Sequence, residues 1–462
     1  MPDNQVGAII EQGPSDWQIV QRDADGVGSI ALRGRWVADV PGTVEVRLAV
    51  EETGVAVNRA LDWHAAETLG DHTWTATLAD IPAGGLYRLE TRFNPQGNIA
   101  GEWSTRGDIR HFLGVGDLWV IAGQSNSAGY GRGPCFDPPE LGVHLFRNSE
   151  TWALATHPLN ASTDTRHPCN REGGNPAHSP YLHFARVLKQ HLGVPIGLVQ
   201  TSLGGSPLSA WNPAEPGTPV LYRNMLHCIE LVGGRVRGVV WYQGESDTGP
   251  EQAPTYGERF IQAVRAWRDD LRSPDLAVIT VQLNRVYQPP NEEADRGWSQ
   301  VREAQRQVAR KLEGVAVVPA FDLPLADGIH TSPAGNMLLG ERMARTALGA
   351  IYGQPINYLA PDLVSAKARQ DRTAVELAFE PVTSRMECID PQANCFRIED
   401  EAGDVPVKAA AYTGSARVLL SLGRALEGQT VVHGGYGATP QAVPMDVERF
   451  LPMLGFYGVE VE

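Results

Sequence analysis

Five short apolar runs most constrain what this chain folds into. They lie at residues 118–122, 196–200, 236–242, 276–283 and 315–319. Each is too short for a helix and too evenly apolar for a strand with one wet face. Such runs read as strands buried on both sides. Helical periodicity separates them. Tyr181, Ala185, Leu188 and Leu192 recur at helical spacing, and 255–271 and 298–312 do likewise. Strand and helix in alternation predict a mostly parallel sheet with helices on both faces, over about residues 114–355. Ligands of such sheets sit beyond the carboxyl ends of the strands.

The flanks read differently. Val44, Val46, Leu48 and Val50 alternate with Glu45, Arg47 and Ala49, and Tyr87, Leu89, Thr91 and Phe93 repeat the period of two. Residues 1–113 are therefore expected to be β-rich and sandwich-like. Residues 356–462 return to this pattern through Val375, Leu377 and Phe379 and the run at 417–422. This tail forms its own domain or packs with the N-terminal region.

Charge excludes some partners. Lys plus Arg number 39 against 54 Asp plus Glu, a formal net charge of −15. Nucleic acid and anionic membrane surfaces are poor partners for such a chain. No run is long enough to span a membrane, and residues 1–15 carry no signal-peptide pattern. The expectation is a cytoplasmic protein, or a secreted or periplasmic one without its leader. The five cysteines have no metal-ligand spacing, and the histidines are scattered along the chain. Cys388 can pair with Cys395, and Cys135 with Cys169, while Cys228 reads as a buried thiol.

Three polar segments each follow an expected strand. Gly123-Gln124-Ser125-Asn126 puts a serine on a strand-to-helix turn, where its hydroxyl is presented at the sheet edge. Trp241-Tyr242-Gln243-Gly244-Glu245-Ser246-Asp247 puts an amide and carboxylates there. Asp327-Gly328-Ile329-His330 precedes Ser332-Pro333, a helix start. A serine, a carboxylate and a histidine in this order have the logic of a triad. Ser202-Leu203-Gly204-Gly205-Ser206 supplies glycine N–H groups for an oxyanion.

These four blocks, with Trp211 downstream of the glycine turn, resemble those of the SGNH hydrolase superfamily, in particular its sialate O-acetylesterase and carbohydrate acetylesterase group. The resemblance implies a flavodoxin-like three-layer α/β/α SGNH hydrolase domain, here flanked by β-rich N- and C-terminal regions, with no metal or organic cofactor. It implies Ser125 as nucleophile and His330 as base. It implies oxyanion donors from Ser125 N, Gly204 N (Gly205 being the alternative) and Gln243, which stands near the place of the superfamily's asparagine. Gln124, Asn126 and Trp211 are the expected substrate contacts, and the substrate is an acetylated carbohydrate: sialic acid, acetylated xylan or another glycan. Two carboxylates compete to orient His330. Asp327 is favoured for its three-residue spacing, and Glu245 is the rival. A glycosidase using Glu245 and a non-catalytic carbohydrate-binding protein are the alternatives of another class.

Overall fold

The computed structural model describes residues 7–97, 104–388, 390 and 394–462. At its centre is a sheet in the order Trp152–Leu154, Val143–Phe146, Ile196–Gln200, Thr105–Gly123, Gly238–Tyr242, Ala277–Gln282 and Val315–Pro319. The pairs are parallel except the first, which is antiparallel. All five apolar runs are strands of this sheet. The two strands at the Trp152 edge escape sequence reading because they span four and three residues, too few to show a period.

The strand Thr105–Gly123 explains how the parts join. Its first half pairs antiparallel with Gly84–Pro95 and is half-exposed. From Leu113 to Gly123 every residue is buried. The change reflects a move from a sheet with one wet face into a parallel sheet covered on both. The strand therefore runs through residues 113 and 114 without a break. On the N-terminal side, Val44, Val46, Leu48, Trp74 and Phe93 share a core with Leu113 and Val115. The C-terminal region forms a separate core around Val375, Leu377, Phe379, Ile398 and Val418.

Helices Tyr181–Leu192, Val220–Leu231, Tyr256–Asp270, Glu292–Lys311 and Pro333–Thr346 link the strands. Glu292–Lys311 starts six residues before its apolar periodicity, capped by Asn291 Oδ1, which accepts from Glu293 N and Ala294 N. Its first turn is acidic, which suits the helix amino end but shows no apolar face. Pro333–Thr346 starts where expected, with Ser332 Oγ accepting from Gly335 N. Among the described residues no helix is long and apolar enough to cross a membrane. All five cysteines are free. Cys135 lies beside Met337 and His178, and Cys388 donates to Ala442 O, so neither expected pairing forms.

Candidate active site

From Thr105–Gly123 the chain builds the sheet first to one side and then to the other. The carboxyl end at Gly123 thus opens at a switch point. Gly123 is held tightly there. Its φ is +128°, and a Cβ would stand 2.2 Å from Tyr242 O, so only glycine fits. Gln124 N donates to Tyr242 O at 3.0 Å and Leu203 N to Gly123 O at 3.1 Å. The serine turn, the glycine turn and the Gln243–Asp247 segment are thereby stitched together.

Ser125 is half-buried and opens the four-residue helix Ser125–Ala128. Asn126, next to it, reaches the histidine segment. Asn126 Oδ1 accepts from Thr331 N at 2.9 Å, and Asn126 Nδ2 lies 3.4 Å from Ile329 O. These groups flank His330 on both sides, so one side chain fixes the histidine loop against the serine turn. His330 Nδ1 lies 2.7 Å from Asp327 Oδ2, and Asp327 Oδ1 accepts from the N–H groups of Ile329 and His330. Partial burial raises the Asp327 pKa, but the bonds from His330 and these N–H groups outweigh it and hold the carboxyl below its usual value. The Tyr130 ring stacks on His330 at 5.0 Å and 24°.

The rival carboxylate is placed otherwise. Glu245 Oε1 accepts from Asn126 Nδ2 at 2.8 Å, and its Oε2 is buried without a partner. Burial pushes Glu245 up to about 7. That value would suit a glycosidase acid, but the buried Oε2 is closed to a glycan. Asp247 is fully buried and bonded to Leu208 N, Gln243 Nε2 and Arg259. Of the carboxylates that the glycosidase alternative could pair, Glu245 Oε2 and Asp247 are buried, and Asp327, which is open, is bonded to His330.

Several of the expected contacts and donors are engaged with other groups of the protein in this structure. Trp211 is 0% exposed, donates to Ser206 Oγ and packs edge-on against Trp241. It cannot stack on a sugar, because the turn after Ser206 folds it inward. Gln124 and Asn126 are each 3% exposed, and Gln124 Oε1 accepts from Ser246 N at 3.1 Å. The Gln243 amide nitrogen points to Asp247 Oδ2 at 2.6 Å, Ser206 O at 3.2 Å and Gln124 Oε1 at 3.3 Å. Gly204 N donates to Glu172 Oε1 at 2.7 Å. Sequence reading missed Glu172, and it weighed Asp247 only as a glycosidase partner, not as the buried brace of Gln243 and Leu208 N. Glu172 lies in a loop with no neighbouring motif, and the direction of the Asp247 side chain depends on how its turn packs.

The histidines, scattered in sequence, gather in space. His157 Nε2 and His178 Nε2 lie 2.9 and 3.1 Å from Asp137 Oδ2. Arg186 Nη1 lies 2.9 Å from the other oxygen of that carboxylate, and the two rings stack at 4.1 Å. Glu150, His167 and His227 form a looser group, with Glu150 Oε1 3.7 and 4.0 Å from the two imidazoles.

A mixed α/β chain with this sheet, and with a serine turn and an aspartate-bonded histidine at one sheet edge, falls in the class of carboxylic ester hydrolases. More particularly, the chain belongs to the family described as carbohydrate esterase, sialic acid-specific acetylesterase, whose model matches residues 115–349. A probable carbohydrate esterase of Arabidopsis thaliana is 31% identical over 267 residues, 52% of this chain and 94% of that protein. The human sialate O-acetylesterase is 32% identical over 107 residues, covering 19% of this chain and 20% of that protein. The crystal structure of a carbohydrate acetylesterase from Xanthomonas citri superposes with a TM-score of 0.67 at 22% identity, covering 96% of this chain and 97% of that one. At that identity the likeness is one of fold, and it extends over the β-rich flanks.

Proposed function

We propose that this protein hydrolyses O-acetyl esters of carbohydrates through an acetyl-serine intermediate. Ser125 Oγ attacks the acetyl carbonyl while His330 takes its proton, and Asp327 holds the imidazole in the required tautomer. Ser125 N and Gly204 N face the developing oxyanion. Gln243, whose amide N–H groups point to Asp247, Ser206 and Gln124, supports the turn. His330 then protonates the leaving sugar hydroxyl, and it activates the water that releases acetate. The observation that carries this reading is Asn126, which ties the backbone on both sides of His330 to the residue after Ser125. The parallel sheet with its switch at Gly123 supports the finer assignment to a flavodoxin-like, three-layer SGNH domain. Sialic acid, acetylated xylan and other glycans share the ester chemistry, and a panel of native acetylated glycans assayed for acetate release distinguishes them.

The test of mechanism is Ser125→Ala. A nucleophile of this kind is worth several orders of magnitude in rate. The variant is expected to fold normally and to lose ester hydrolysis. Retention of more than about a tenth of kcat/KM would remove Ser125 from the role.

A further inference from the structure

Glu172 engages the N–H of Gly204, the group read above as an oxyanion donor. Its Oε1 accepts from Gly204 N at 2.7 Å, and its Oε2 accepts from the Tyr130 hydroxyl at 2.8 Å. A carboxylate and an ester carbonyl are both planar and both accept through sp² oxygens. Donors placed to hold one are placed to hold the other. The space is made for such a group. An ideal Cβ on Gly204 would lie 3.1 and 3.2 Å from the two Glu172 oxygens and 3.4 Å from the Tyr130 hydroxyl. This pair of donors is joined to the histidine, because the same Tyr130 ring lies on His330.

Glu172 comes from outside the catalytic turns. It belongs to the loop between the short helical turn Pro168–Asn170 and helix Tyr181–Leu192. Its own N–H donates to Ser162 Oγ at 3.0 Å. Gly173 and Gly174 follow it, both exposed, and a Cβ on either would meet nothing within 4 Å. A glycine pair in open space lets the backbone turn at small cost, so the carboxylate can withdraw without disturbing the sheet.

We propose that Glu172 is a built-in ligand of the acyl-oxygen site: in the free enzyme its carboxylate holds Gly204 N–H and Tyr130 O–H, and an acetyl ester or acetate displaces it. The inference rests on the reading of Gly204 as an oxyanion donor and extends it in two ways. Displacement frees two donors together, so the Tyr130 hydroxyl becomes a second donor to the acyl oxygen. The site also takes small carboxylates, and acetate, the product of the reaction, is the smallest that bridges both donors.

The experiment is calorimetric titration of the full chain with sodium acetate, against sodium chloride at equal ionic strength. Glu172→Ala is expected to bind acetate at least about tenfold more tightly than wild type, since no internal carboxylate competes. Adding Tyr130→Phe to that variant should cancel about tenfold of the gain, the size of one hydrogen bond to a charged group. Glu172→Gln keeps the size of the side chain but not its charge, and should fall between wild type and Glu172→Ala. With 4-nitrophenyl acetate, Glu172→Ala should lower KM at nearly constant kcat. Unchanged or weaker acetate binding in both Glu172 variants, with melting temperatures held, would overturn the proposal. So would a raised KM without any gain in acetate affinity. If Glu172→Ala is destabilised, Glu172→Gln carries the test alone. Because binding is read without turnover, failure here is distinct from failure of the esterase reading, which Ser125→Ala decides.

Discussion

Asp327 and Glu245 carry the same functional group and differ only in surroundings. Asp327 is partly exposed and bonded to the imidazole, whereas the Glu245 Oε2 is buried and unpartnered. Asp327→Asn is expected to lower kcat by at least about a hundredfold, because the amide no longer fixes the tautomer or stabilises the imidazolium. Glu245→Gln should lower it less, since an amide oxygen still accepts from Asn126. Steady-state kinetics on the two variants, with the reverse ranking, would make Glu245 the orienting acid. Glu245 also bears on stability. Its pKa rises on folding from 4.5 to about 7, so between those values the folded state binds more protons than the unfolded state. Its contribution to stability therefore falls as pH rises through that window and levels off above about 7. Melting curves should show Glu245→Gln gaining on wild type from pH 4.5 to 7, with the difference constant beyond. A difference that does not vary with pH would mean that the folded carboxyl is not protonated there.

The active elements are turns whose geometry the strands impose. Gly123 is the point of greatest constraint, because its Cα faces the Tyr242 carbonyl across a parallel pair. Gly123→Ala combines an unfavourable φ with a steric overlap and should cost about 3 kcal/mol or more. Urea titration measures this, and a loss under about 1 kcal/mol would mean that the strand end relaxes freely. The strands themselves were legible in sequence, because a parallel sheet covered on both faces needs unbroken apolar runs. Val143–Phe146 was not, since it is four residues long and carries the buried His144, whose Nδ1 lies 2.6 Å from Trp17 O. That bond is made only after the N-terminal region has folded against the sheet.

The β-rich flanks are bound into the catalytic region rather than appended to it. Arg302, buried on helix Glu292–Lys311, donates to Leu283 O and Asn284 O on one side and to Gly437 O on the other. Gln282, at the end of a central strand, exchanges two hydrogen bonds with Gly455. A chain ending at residue 355 would lose these bonds and open to water the surface of helix Glu292–Lys311 and the strand end that the tail covers. Such a chain is expected to be insoluble or unfolded by circular dichroism, and a soluble, active product would show the tail to be dispensable. The amino-acid sequence by itself determined the parallel sheet, the β-rich flanks, the serine turn and the Asp327–His330 pair. Those rest on periodicity, on the turn chemistry of glycine, proline and serine, and on contacts three residues apart, all of which are local. Only the tertiary structure decided that Trp211 is core, that Gln243 braces the turn, that Glu245 is bonded to Asn126, that Asp137 gathers two histidines, and that Glu172 meets Gly204 and Tyr130. Each of these depends on which way a side chain points once distant segments have packed, and no spacing along the chain encodes that direction.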